Sequence, residues 1–251
     1  MNFKGKTVLV TGSSRSLGRQ IIYDFASCGA NVVINYNNSL DEALLLEKEL
    51  KDKFNSKTLV VKCDVSNEEE VILMVDKCIL EFGKIDILVN NASICRDSLF
   101  DEKSYSDFSD VLGVNLIGTY LVSKYVGKHM LLKSYGKIIN IASDNGIDAG
   151  YPESCEYDAS KAGVISLTSN MAKHYAPYIN VNCVCPGWID TDMNKDLSDS
   201  QKKDICDKIL VKRFASVKEI SNVVLFLASD DASYVNDSVI CVNGGSLWEM
   251  I

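Results

Sequence analysis

The chain has 251 residues, 47% of them hydrophobic and 24% charged, with a formal net charge of −8. That composition supports one large α/β core and argues against a disordered chain. The acidic balance gives no electrostatic reason to hold nucleic acid or an anionic membrane, and no run approaches the roughly 18–20 apolar residues of a membrane helix.

Short apolar runs alternate with helix-period segments from end to end. Thr7–Val10 reads as a buried strand, followed by a helix over Leu17–Ser27 that stops at Gly29. Asn31–Tyr36 is a second strand, Leu40–Phe54 a helix, Lys57–Cys63 a third strand and Glu68–Phe82 a third helix. Ile85–Asn90 reads as a fourth strand, Tyr105–Leu132 as one long helical stretch and Gly136–Ala142 as a fifth strand. A helix over Tyr157–Tyr175, a strand over Ile179–Cys185, a helix over Lys218–Ala228 and a strand over Ser238–Val242 complete the chain. Continuous apolar strands imply a sheet covered on both faces, and intervening helices supply right-handed crossovers. The economical architecture is a Rossmann-like, doubly wound parallel sheet of about seven strands in a single domain over 1–251.

Nine cysteines form no C-x-x-C pair, and most sit in apolar runs where a thiol packs as a small hydrophobe. The odd count and a chain that opens on a strand lead us to expect reduced thiols and a cytoplasmic protein. Cys183 and Cys185 are two apart on a strand and should share one face, as core rather than metal ligands. His129 and His174 lack metal-binding spacing. Ser104-Tyr105-Ser106 and Ser198-Asp199-Ser200 read as helix caps and turns.

Between the first strand and helix lies Thr11-Gly12-Ser13-Ser14-Arg15-Ser16-Leu17-Gly18. A small-residue turn entering a helix can cradle phosphate on backbone N–H groups, although such turns also occur without a ligand. Tyr157 and Lys161 are four apart on a predicted helix and share a face. A free tyrosine, with a pKa of about 10, is a poor base near neutrality. A neighbouring ammonium is expected to lower that pKa and make the phenol a general acid/base. Alone, such a spacing is as readily an ordinary exposed pair.

Together these segments resemble the short-chain dehydrogenase/reductase family over essentially the whole chain. The glycine turn is similar to the family's T-G-x-x-x-G-x-G, with Ser16 in place of the middle glycine. If that position needs a left-handed backbone, serine costs roughly 1–2 kcal/mol, though serine is also a favoured helix N-cap. Cys63-Asp64-Val65 matches the adenine-holding acid and amide, with a helix-side cap as the alternative for Asp64. Asn90-Asn91-Ala92-Ser93 resembles N-N-A-G, with Ser93 for glycine and plain turn chemistry as the alternative. Pro186-Gly187-Trp188-Ile189-Asp190-Thr191 and Val242-Asn243-Gly244-Gly245 are similar to the family's later segments.

The resemblance implies a nicotinamide cofactor held by Gly12, Ser13, Ser14, Arg15, Leu17, Gly18, Asn37, Asp64, Val65, Asn91, Ala92, Tyr157, Lys161, Pro186, Gly187, Ile189 and Thr191. It implies a catalytic set of Asn115, Ser143, Tyr157 and Lys161 and no metal. After the second strand there is no acid until Asp41, and Arg15 lies in the glycine turn. Both features favour NADP(H), since a 2′-phosphate would meet no repulsion there. The implied reaction is a ketone reduction in which Ser143 polarises the carbonyl, Tyr157 donates the proton, Lys161 tunes Tyr157 and Asn115 supports a water-linked relay.

Ile94-Cys95-Arg96-Asp97 and the segment from Pro186 to Asp199 are most similar to the 3-oxoacyl-acyl-carrier-protein reductases, which implies an acyl thioester substrate, fatty acid biosynthesis and acyl carrier protein as a partner. Lys124, Lys128, Lys133, Lys137 and Lys173 would supply the basic docking patch, opposed by Asp190, Asp192, Asp196 and Asp199 on the lid. A reductase or dehydrogenase of a steroid, sugar or other small secondary alcohol or ketone, and a non-catalytic nucleotide-binding relative, stay open as alternatives. The family further implies a homotetramer, although Asn236-Asp237 departs from the usual T-G before the last strand.

Overall fold

Seven short runs rich in aliphatic residues form the strands β1 (Thr7–Val10), β2 (Asn31–Tyr36), β3 (Thr58–Lys62), β4 (Ile87–Asn90), β5 (Gly136–Ile141), β6 (Ile179–Pro186) and β7 (Val239–Val242), buried in the central strands and partly exposed in the edge strands β3 and β7. The computed structural model describes residues 1–148, 151–191, 194–195 and 197–246. All seven strands join one parallel sheet in the order β3-β2-β1-β4-β5-β6-β7. The order reverses between β1 and β4, where diverging crossovers open a crevice at the carboxyl edge.

The crossovers are α1 (Ser16–Ser27), α2 (Leu40–Phe54), α3 (Glu68–Phe82), α4 (Tyr105–Leu112), α5 (Thr119–Leu132), α6 (Cys155–Tyr175), α7 (Asp199–Lys208) and α8 (Val217–Ala228). Side chains alternate across a strand, so each strand feeds two cores. Val8, Val10, Val32 and Ile34 pack with Ile21, Phe25, Leu46, Leu50 and Val224 on one face. Leu9, Val33, Leu88 and Val181 pack with Met74, Val122, Val126, Met171 and Tyr175 on the other. Fully burying each such side chain stabilises the fold by roughly 1.5–3 kcal/mol. Cys183 and Cys185 share a face of β6, with sulfurs 3.9 Å apart in the interior.

Three features differ from the sequence reading. The stretch Tyr105–Leu132 is interrupted by a wide π-helical turn at Gly113–Gly118, in which the Asn115 carbonyl accepts from the Thr119 hydroxyl at 2.7 Å. Such turns occur frequently at functional sites and re-aim the residues they contain. Second, α6 begins at Cys155, which puts Tyr157 in its first turn. Third, α7 falls where no helix was expected, because none of its residues is buried and no apolar stripe marks it. Its start was legible: Ser198 and Gln201 form a capping box, as do Ser104 and Asp107 at α4. Of the lid acids, Asp192 and Asp196 lie outside the described residues. Before β7, Asp237 adopts φ 55 and is held by the Ser169 hydroxyl at 2.5 Å, so this turn is built around the departure noted in sequence.

Candidate active site

At the carboxyl edge a cleft of about 650 Å³ runs from the glycine turn past β4 and β5 to the segment after β6. Its floor begins at Gly12, with φ 61, where a side chain would meet the Ala92 Cα at 3.0 Å. A Cβ on Gly18 would run into the Gly12 carbonyl oxygen and lie 2.6 Å from the Asn91 amide nitrogen. Both positions therefore need glycine for steric reasons, and the N-terminus of α1 opens onto the cleft. Ser16 takes φ 49, so the left-handed backbone is real; the N-cap role falls to Arg15, which makes no side-chain cap bond. The expectation that Ser16 caps α1 is thereby corrected: it is already the helix's first residue.

Neighbouring strands hold this turn in place. Asn91 donates to the carbonyls of Thr11 and Gly12 at 2.9 and 3.1 Å, and the Thr11 hydroxyl accepts from Asn91 and Ala92 N–H. Asn35 accepts from Gly12 N–H at 2.9 Å and donates to the Cys63 carbonyl at 3.1 Å. Asn35 escaped the sequence reading; its signal is a lone amide at the end of an apolar strand. Asp64 accepts from Ser66 N–H and hydroxyl and from the Asn37 amide at 3.2 Å, while the α3 cap is Asn67. The cap alternative for Asp64 is thus filled by another residue.

Farther along, Ser143 follows β5 two residues past its end, and Tyr157 and Lys161 project from α6 into the same cleft. The Ser143 oxygen accepts from Asn145 N–H at 3.2 Å and its hydroxyl donates to Asp144 at 3.4 Å, while the Tyr157 phenol lines the same cleft. The Lys161 amine donates to the Ile141 carbonyl at 3.0 Å and stands 5.3 Å from the centre of the Tyr157 ring. Burial pushes the phenol above its usual value, reinforced by the nearby Cys95, Asp144 and Asp158, with Ser143 acting the other way. Burial also lowers Lys161 to about 8. This corrects the expectation of a phenol made more acidic by its neighbour: desolvation of the phenol outweighs an amine whose own bond goes to the Ile141 carbonyl and not to the phenol oxygen.

The other anticipated residues of both sets line this cleft, but Ser13 of the cofactor set and Asn115 of the catalytic set do not. Ser13 is fully buried and its hydroxyl accepts from Asn35 N–H, so it joins β2 to the turn instead. Asn115 accepts from Ile94 N–H and donates to the Ile94 carbonyl, both at 2.9 Å, and to Ser160 at 3.0 Å. It fixes the cleft wall that follows β4. A dinucleotide fits what is present: a glycine cradle at one end, paired hydroxyls at the other, and between them Ser93, whose buried hydroxyl finds no protein partner.

A family model described as Enoyl-(Acyl carrier protein) reductase matches residues 12–246. The 3-oxoacyl-[acyl-carrier-protein] reductase FabG of Aquifex aeolicus is 40% identical over 246 residues, covering 98% of both chains. Its counterpart from Staphylococcus epidermidis is 40% identical over 241 residues, 96% of this chain and 98% of that one. Among solved structures, a gluconate 5-dehydrogenase from Burkholderia cenocepacia in complex with NADP and tartrate superposes with TM-score 0.92 at 32% identity, over 97% of this chain and 96% of that one. A short-chain dehydrogenase/reductase mutant from Serratia marcescens gives 0.91 at 29% identity, over 98% and 99%. With its parallel sheet, glycine cradle and Ser143–Tyr157–Lys161 cleft, the chain is an oxidoreductase that belongs to the short-chain dehydrogenase/reductase family.

Proposed function

We propose that the chain is an NADP(H)-dependent ketoreductase acting on 3-oxoacyl thioesters, with Tyr157 as proton donor. The observation that carries this reading is the convergence of the Ser143 and Tyr157 hydroxyls in one cleft with a glycine cradle. The 3-oxoacyl substrate rests on relatives of that name aligned along nearly the whole chain. The NADP preference rests on Arg15 at the cleft rim and the lack of an acid among Tyr36, Asn37 and Asn38. It is supported by a neighbour solved with NADP.

When bound, a nicotinamide supplies the hydride that adds to the ketone carbon. Ser143 donates a hydrogen bond to the carbonyl oxygen as negative charge grows there. Tyr157, kept protonated by its buried setting, passes its proton to that oxygen. Lys161, tethered to the Ile141 carbonyl beside the Tyr157 ring, would hold the ribose of a bound cofactor with its remaining protons. Asn115 acts as a positioning residue through Ile94.

The docking patch for a carrier protein is smaller than the lysine count suggests. Lys137 is buried and donates to Asn180 at 2.7 Å, and Lys124 is paired with Glu68 at 2.8 Å. That favours a second reading, reduction of a free small ketone such as a keto sugar acid. The reading also includes a homotetramer, supported by the exposed Phe108, Ile117 and Tyr120 along α4, the π-turn and α5. Among the described residues no helix is long and apolar enough to cross a membrane.

The test follows NADPH oxidation by the purified protein with an acetoacetyl group on carrier protein, on coenzyme A, and with a panel of free ketones. Turnover strongest on the carrier-linked thioester supports the proposal. Turnover on free ketones alone moves the assignment to the second reading, and none on any of them removes the ketoreductase reading.

A further inference from the structure

Directly after Ser143 comes a carboxylate that the mechanism does not use. Asp144 opens a short 3-10 turn at the end of β5 and is only 4% exposed. Its Oδ1 accepts from the Ser143 hydroxyl at 3.4 Å, and its Oδ2 from the Asn243 amide, beyond β7, at 3.5 Å. From the end of β6, Gly187 presses on the same group: a Cβ there would lie 3.0 Å from Oδ2. The titratable groups acting with Asp144 are Tyr151 on the loop before α6, Tyr157 on α6, Cys185 on β6 and Cys241 on β7. None of these is a cation, and among the described residues no lysine or arginine pairs with Asp144. A buried carboxylate with two long hydrogen bonds and no counter-charge is poorly solvated.

The position matters because Ser143 has one proton to donate. When Asp144 is ionised, that proton is drawn to the carboxylate, and a negative charge stands beside an oxygen on which more negative charge must develop. When Asp144 is neutral, it no longer attracts the serine proton, and the hydroxyl is free to face the substrate oxygen. The phenol feels the same charge, since Asp144 is among the groups that push Tyr157 up.

We propose that Asp144 is a positioning residue for the reduction, competing with the substrate oxygen for the Ser143 hydroxyl, so that the site works best when this carboxyl carries a proton. The inference rests on the ketoreductase reading above and adds a titrating group to it. Burial pushes the Asp144 carboxyl up to about 6, which puts the change within reach of ordinary assays. The proton that Asp144 binds comes from solvent and is not transferred to product.

The experiment compares wild type, Asp144→Asn and Asp144→Val across pH, with the best ketone substrate and saturating NADPH. Wild-type kcat should fall by on the order of tenfold as pH rises through about 6, with little change in KM, as expected when a hydrogen bond made in the transition state weakens. Both variants should lose that step and match or exceed wild type above neutrality. A step that persists in either folded variant overturns the inference, as does a uniform loss of kcat at every pH. A second measurement needs no turnover: denaturant unfolding of wild type against Asp144→Asn. The variant's relative stability should grow as pH rises through the interval from about 4 to about 6 and then level off, because native Asp144 holds its proton longer than the unfolded chain does. A flat difference overturns the inference whether or not any ketone is reduced. A wild type that shows the stability step but reduces nothing overturns the ketoreductase reading instead.

Discussion

The amine of Lys161 stands 5.3 Å from the centre of the Tyr157 ring and spends one proton on the Ile141 carbonyl at 3.0 Å. The phenol oxygen is thus left to Ser143 and to substrate. Replacing Tyr157 by Phe keeps the ring and its packing and removes only the transferable proton. Turnover should drop by about 10²–10⁴-fold while NADPH affinity stays within a few-fold. Steady-state kinetics and a fluorescence titration of NADPH check both halves, and an unchanged kcat would sink the assignment.

Burial of Lys161 has a stability consequence with a definite sign. Its folded value of about 8 lies below the ordinary lysine value of 10.5, so the native state binds fewer protons than the unfolded chain between these limits. The cost of burying the charge is fully present below about 8 and disappears as pH rises toward 10.5, amounting to roughly 3 kcal/mol. Lys161→Met should therefore be more stable than wild type at neutrality, with the advantage shrinking toward pH 10.5. Urea unfolding across this range measures it; an advantage that grows with alkali refutes the account.

A second lysine is buried for a different purpose. Lys103 and Glu156 pair at 2.6 Å with side chains only 4% and 0% exposed. The same amine donates to the carbonyls of Arg96 and Glu153 at 2.7 and 2.8 Å, and Glu156 accepts from Arg96 N–H at 3.1 Å. The pair fastens the cleft wall after β4 to the residue before Tyr157. Lys103→Met should cost about 3–5 kcal/mol, because it strands a buried carboxylate. Lys103→Met with Glu156→Leu should recover most of that. Denaturant midpoints of both variants decide it, and equal losses would show that the charges themselves are not what matters.

How much of this was legible depended on whether a residue acts alone or through a contact. The strands and most helices followed from apolar periodicity, because the central strands are buried on two faces, the edge strands β3 and β7 keep the same aliphatic composition, and most helices bury one face. The nearly unburied α7 gave only its cap, Ser198. Tyr157, Lys161 and Ser143 were visible because chemistry fixes their types and the topology fixes their order. Asn35, Glu156 and Lys103 were not, since their work is done by partners 23, 60 and 7 residues away. Sequence also gave the wrong sign for Tyr157, because the degree of burial is set by walls that only the fold brings together.

The glycine turn separates two substitutions that look alike on paper. At Ser16, φ 49 is paid for in backbone strain, so Ser16→Gly should raise stability by about 1 kcal/mol. At Gly18 the backbone is not left-handed, yet a methyl group has no room between Gly12 and Asn91. Gly18→Ala should lower stability by roughly 1–3 kcal/mol and weaken NADPH binding through the displaced turn. Thermal unfolding with and without NADPH tests the contrast, which fails if both variants shift the same way.

Arg15 lies exposed at the rim of the cleft, near Asn37 and Asn38, which bring no negative charge to that end. A guanidinium there can meet a 2′-phosphate with two parallel hydrogen bonds but gains little from a bare ribose hydroxyl. Arg15→Ala should thus weaken NADPH by about tenfold, leave NADH nearly unchanged, and flatten the salt dependence of NADPH binding. Arg15→Glu should go further, since the new carboxylate repels the phosphate and accepts from the ribose, tilting the preference toward NADH. Fluorescence titrations of both cofactors at two salt concentrations give the four affinities required. Equal losses for NADPH and NADH would mean that Arg15 serves only the shape of the turn, and the NADP preference would then need another source.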